Sequence, residues 1–87
     1  MKVTIYTKPG CGPCWATRHA LESRGVPFET VNVMDDDAAL DAIKGLGYLT
    51  VPVVLVQDGD AAEHWGGFQL DRIADLAGKL RMQEIEE

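Results

Sequence analysis

The sequence predicts a small α/β domain, four strands and three helices in the order βαβ and then αββα. Three observations predict it. An apolar run, Val3-Thr4-Ile5-Tyr6, leads into Cys11-Gly12-Pro13-Cys14, after which Trp15 to Arg24 reads as a helix. Next, Phe28-Glu29-Thr30-Val31-Asn32-Val33 alternates apolar and polar residues, as a half-buried strand does. Finally, Asp58-Gly59 is a hairpin signal set between Val53–Val56 and Ala61–Trp65, and an amphipathic stripe follows it.

Each element has its own local reason. Val3 to Tyr6 is β-branched and aromatic, suited to a central strand buried on both faces. Pro9-Gly10 breaks that strand, and Pro13 falls near the first helical position, where a missing N–H costs nothing. Cys14, Thr17 and Leu21 recur at spacings of three and four, with Ala16 and Ala20 alongside, giving a small-residue face that can press on a sheet. Arg18, Glu22 and Arg24 form the solvated side. Gly25 caps this helix and Pro27 prevents its resumption. Strand, helix and strand make a right-handed crossover, so the first two strands should run parallel.

Asp35-Asp36-Asp37 reads as a helix N-cap with first-turn acids that suit the helix dipole. A calcium loop spaces its ligands differently. Leu40, Ile43 and Leu46 give the second helix its apolar stripe, and Gly45 and Gly47 end it. Pro52 cannot donate to a ladder, so it should open the Val53–Val56 strand or sit at a special peptide bond. The hairpin returns through Ala61-Ala62-Glu63-His64-Trp65, and Gly66-Gly67 breaks it. Leu70, Ile73, Leu76, Ala77 and Leu80 form the last stripe. The reading is one domain over residues 1–81, with a frayed acidic tail over 82–87.

The chemistry concentrates at Cys11 and Cys14, the only two cysteines among 87 residues. A Cys-x-x-Cys at a strand-to-helix junction reads as a thioredoxin-like dithiol. A helix N-terminus offers unpaired N–H groups and the positive end of the dipole, and both favour a thiolate over a thiol. Cys11 is the candidate nucleophile, and Cys14, one turn further in, can resolve a mixed disulfide. Zinc would need roughly four ligands, and the chain offers two Cys with only His19 and His64. A structural staple closing so small a loop would remove little chain entropy. Pro13 stiffens the loop against cluster binding. Dithiol–disulfide exchange is the reading that remains.

Bulk properties narrow the partners. A formal net charge of −6 argues against nucleic acid or an anionic membrane surface. Met1 to Ile5 runs straight into the first strand, with no signal peptide or membrane span expected. The expected setting is a reducing cytoplasm, where such a pair works catalytically. A monomer is expected.

Several stretches together resemble the glutaredoxin-like NrdH-redoxins of the thioredoxin superfamily. They are Tyr6-Thr7-Lys8-Pro9 before the cysteines, Cys14-x-Ala16-Thr17 with Ala20-Leu21 after them, and Gly47-Tyr48. Pro52-Val53-Val54, His64-Trp65-x-Gly67-Phe68 and Asp71-Arg72-Ile73 complete the set. The resemblance covers about the first eighty residues. It implies a thioredoxin-like fold with a small four-stranded mixed sheet flanked by three helices. It also implies an electron carrier with protein-disulfide reductase activity and no bound cofactor. Electrons would come from NADPH via thioredoxin reductase and pass to a ribonucleotide reductase. Cys11 and Cys14 would be the redox pair, with the Val51–Pro52 bond cis and Trp65 to Phe68 beside the active-site surface.

Two departures keep alternatives open. Gly12-Pro13 between the cysteines resembles thioredoxin itself. Gly66-Gly67 resembles the glycine pair with which glutaredoxins approach glutathione, but Phe68-Gln69-Leu70 follows where they place short polar side chains. A glutathione-dependent glutaredoxin and a non-catalytic adaptor of the same fold are the rival readings. Lys8, three residues before Cys11, either helps hold a thiolate or is a solvated loop lysine. Trp15 reads as a partly exposed helix residue flanking the site. Trp65 and Phe68 are core or contact surface, with contact surface favoured, and His19 and His64 read as plain surface residues. The expected partner-binding set is therefore Lys8, Gly12, Pro13, Val51, Pro52, Trp65, Gly66, Gly67 and Phe68.

Overall fold

The computed structural model describes residues 1–85 of the chain, and side chains as far as Met82. Its elements are β1 (Lys2–Thr7), α1 (Gly12–Ser23), β2 (Glu29–Asn32), α2 (Asp37–Gly45), β3 (Val53–Asp58), β4 (Ala61–Gly66) and α3 (Leu70–Ile85). The sheet order is β2-β1-β3-β4. β1 is parallel to β2 and antiparallel to β3, and β4 closes an antiparallel hairpin on β3. The central position of β1, the parallel crossover and the hairpin are all as the sequence predicted.

Alternation along the strands sorts the sheet into two faces. Ile5 lies opposite Val54, and Val54 opposite Trp65, so a row of large side chains crosses three strands on one face. That row joins Ala20 and Leu21 of α1 and Ile73, Leu76 and Ala77 of α3 in one buried cluster. The other face carries Val53 beside Tyr6 and Val31, and packs with Ala39 and Ile43 of α2. Cys14 reaches this second cluster from the first turn of α1.

Three helix ends set up the site. At the start of α2, the Asp36 carboxylate accepts from the Ala39 N–H at 3.1 Å, confirming the predicted cap. α1 ends with Gly25 N–H bonded to Glu22 O and Val26 N–H bonded to Leu21 O, both at 3.0 Å. α2 ends in the same pattern, Gly47 N–H on Lys44 O and Tyr48 N–H on Ile43 O. Here Gly47 adopts φ +99°, a left-handed conformation that a side chain would oppose, and this turns Tyr48 back toward the sheet.

Three expectations are corrected. Leu46 does not complete the apolar stripe of α2; it is the C-cap residue and is exposed, and Ala39 takes the inner position with Ile43. α3 does not stop at Arg81 but continues to Ile85, because Met, Gln and Glu are good helix formers whatever their charge. Of the expected acidic tail, Glu86 and Glu87 lie outside the described residues. β4 includes Gly66, so the strand breaks one residue later than predicted.

Candidate functional site

Where β1 ends, the chain turns through Lys8-Pro9-Gly10 and enters α1 with Cys11 as its N-cap. Cys11 and Cys14 are joined as a disulfide, their Cα atoms 5.2 Å apart. The Cys14 N–H donates to Cys11 Sγ at 3.1 Å, so the side chain that caps the helix is the sulfur itself. An orphan donor at the positive end of a helix thus faces the atom that would carry negative charge after reduction. Pro13 sits in the first turn, and its carbonyl accepts from the Thr17 hydroxyl at 2.9 Å. Thr17 is fully buried, and this bond satisfies its hydroxyl while fixing the first turn.

The two sulfurs meet solvent very differently. Cys14 is 2% exposed and packed in the second apolar cluster, whereas Cys11 is half-buried at that cluster's edge. Such an arrangement presents one sulfur to an incoming disulfide and shelters the other behind it. Cys11 Sγ lies 3.9 Å from the Val51 carbonyl oxygen. The Val51–Pro52 peptide is cis, as expected, and both residues precede β3, so Val51 lies outside the β-ladder.

The glycine turn is tied to this segment. Gly67 N–H donates to Pro52 O at 2.8 Å, and Gly66 pairs with Val53. A Cβ at Gly66 would stand 3.0 Å from two ring carbons of Tyr48, a tight contact that would require the ring to shift by a few tenths of an ångström, so glycine suits the close approach. Phe68 and Leu70 beyond the turn are 44% and 45% exposed. Gly12, Pro13 and Lys8 are exposed beside Cys11, and Trp15 is 59% exposed with its ring stacked on His19.

One expected site residue belongs elsewhere. Trp65 is 2% exposed and lies in the cluster between the sheet and helices α1 and α3, so its side chain is core and not contact surface. The register explains it: Trp65 is paired with Val54 and points to the same face, while its neighbour Gly66 takes the face of Tyr48. The Arg72 guanidinium covers the indole at 5.6 Å.

Two features escaped the sequence reading. His64 is half-buried rather than a plain surface residue, and its Nδ1 shares a 2.6 Å hydrogen bond with the Tyr48 hydroxyl. Arg18, assigned to the solvated side of α1, lines the groove that holds Cys11, Cys14, Lys8 and Trp15. Its position four residues after Cys14, one turn along the same face, was the available signal.

A four-stranded mixed sheet flanked by three helices, with a Cys-x-x-Cys dithiol capping α1 beside a cis-proline, defines the thioredoxin-fold thiol oxidoreductases. Comparisons with known proteins place it within them. A glutaredoxin family model matches residues 3–61. The glutaredoxin-like protein NrdH of Salmonella typhimurium is 44% identical over 76 residues, 87% of this chain and 89% of that protein. The protein of the same description from Escherichia coli is 41% identical over the same shares. The solved structure of the Escherichia coli NrdH-redoxin, described by its thioredoxin-like activity profile, superposes with a TM-score of 0.75. It is 41% identical and is matched over 87% of this chain and 95% of its own. The chain belongs to the glutaredoxin family as an NrdH-like thiol oxidoreductase, with Cys11 and Cys14 as its redox-active pair. Among the described residues, no helix is long and apolar enough to cross a membrane.

Proposed function

We propose that the chain is an electron carrier reduced by thioredoxin reductase at the expense of NADPH, with no cofactor of its own. It passes electrons to a protein disulfide in the cytoplasm, in the first place that of a ribonucleotide reductase, as the family resemblance implies. The Cys11 thiolate attacks one sulfur of the target disulfide, and the other target sulfur leaves as a thiolate and takes up a proton. The resulting mixed disulfide joins Cys11 to the target. Cys14 then loses its proton and attacks Cys11 Sγ, releasing the second target thiol and leaving the Cys11–Cys14 disulfide. Two electrons have moved to the target, and thioredoxin reductase restores them.

Local geometry supports each role. The Cys14 N–H aimed at Cys11 Sγ stabilises the attacking thiolate. The Val51 peptide, close to that sulfur and outside the ladder, is placed to pair with an extended target segment.

The observation that carries the choice of donor is the surface beyond the glycines. Gly67 N–H is already engaged by Pro52 O, and the side chains that follow, Phe68 and Leu70, are exposed and apolar. Glutathione, with two carboxylates and an ammonium, calls for fixed polar groups there. An exposed aromatic next to the turn that is bonded to Pro52 better suits docking of another protein. The thioredoxin-like profile of the Escherichia coli relative favours the same donor. The test is NADPH consumption by the oxidised protein, with thioredoxin reductase or with glutathione plus glutathione reductase. The first reaction should be fast and the second slow, and Phe68→Ala should raise the apparent KM of the first. Efficient glutathione coupling, undisturbed by Phe68→Ala, would make glutathione the donor instead.

A further inference from the structure

The chain carries 14 acidic and 8 basic residues, yet the groove around its cysteines reverses that balance. Among the described residues its lining includes Lys8 and Arg18 together with Cys11, Cys14 and Trp15, and no acidic residue. Neither cation takes part in an ion pair among the described residues; the lysines at 2 and 79 do, with Glu29 and Glu63. Arg18 is the more unusual of the two. Its Nε is buried and has no hydrogen-bond partner among the described residues.

We propose that Arg18, together with Lys8, receives a carboxylate side chain of the target polypeptide, so that disulfides flanked by Asp or Glu are preferred substrates. The proposal rests on the reading of the protein as a protein-disulfide reductase. A planar guanidinium can bind a carboxylate through two parallel N–H bonds, and Lys8 adds a point charge. Trp15, stacked on His19 along the same wall, gives the backbone of the segment an apolar surface to lie on. A polypeptide fits better than glutathione. The tripeptide's ammonium would need an anionic acceptor, and the described groove lining offers two cations and no carboxylate. Arg18 is thus a specificity residue for the partner and takes no part in the sulfur chemistry.

Two synthetic peptides with the same intramolecular disulfide, one flanked by Glu and the other by Lys, test this against the reduced protein. Wild-type protein should oxidise faster with the acidic peptide, by about fivefold at low salt, and the advantage should shrink as salt is raised. Arg18→Glu should reverse the preference, and Arg18→Lys should keep part of it. The rate of each variant with the uncharged disulfide 4,4′-dithiodipyridine normalises for any change in Cys11 reactivity. The ratio between peptides is therefore readable even where a variant is less stable. Equal ratios in wild type and Arg18→Glu would overturn the proposal. A glutathione disulfide reaction faster than either peptide, and lost in Arg18→Glu, would also overturn it, assigning the cations to glutathione. Wild-type protein that reacts with dithiodipyridine but with neither peptide would fail at the earlier step, as a protein-disulfide reductase.

Discussion

On one face of the sheet, Ile5, Val54, Trp65, Leu21, Ile73 and Leu76 meet under α1 and α3. On the other, Val33, Ala39, Ile43, Val51 and Val53 meet under α2, and Cys14 is packed among them with Cys11, Tyr6 and Tyr48 along the edge. Both clusters are built on buried side chains, but among the described residues only the second has reactive atoms in its wall. The first stabilises the fold; the second also decides which sulfur is covered. In this small domain the chemistry occupies the border of a hydrophobic core, where one cysteine can be buried and its partner left open.

That contrast can be broken most forcefully at Trp65. Truncating it to Ala should cost about 3–5 kcal/mol of unfolding free energy, measured by urea denaturation. The fraction that remains folded should still react with dithiodipyridine at close to the wild-type rate. Loss of thiol reactivity in folded Trp65→Ala protein would show that the two clusters are not separate.

Ile43→Ala in the second cluster should cost slightly less, roughly 2–4 kcal/mol. Unlike the first variant, it should alter the chemistry as well, because the packing around Cys14 is loosened. The expected signature is faster alkylation of Cys14 in the reduced protein relative to wild type. A stability loss with no change in Cys14 labelling would place Ile43 outside the region that governs the sulfur.

Tyr48→Phe is the mildest of the three. It keeps the ring against Gly66 and removes only the hydroxyl bonded to His64. A loss of about 1 kcal/mol is expected from that half-buried bond, again by urea denaturation. A much larger loss would mean that the pair anchors the glycine turn to the end of α2.

Much of this was legible in local sequence. The strand before the cysteines, the Asp36 cap and the hairpin glycine depend on residues close together in the chain, whereas the cis bond before Pro52 was implied by the family resemblance. Trp65 was not legible in that way. Its burial follows from pairing with Val54, which in turn pairs with Ile5, and beside two glycines an aromatic reads equally well as a contact residue. His64 gains its partner from Tyr48, 16 residues away, through a turn whose direction Gly47 sets. Arg18 looked solvated because charge predicts exposure well, yet the first turns of α1 bury its Nε and bring the residue into the lining of the groove. The residues that pattern misplaced are those whose surroundings come from a different element.

The division of labour between the sulfurs is the claim on which the rest depends, and differential alkylation of the reduced protein tests it most directly. A brief pulse of iodoacetamide near neutral pH, followed by digestion and mass spectrometry, reports which cysteine reacts first. Label should appear on Cys11, the half-buried sulfur facing the Cys14 N–H, with Cys14 modified only after unfolding. Label appearing first on Cys14 would contradict it.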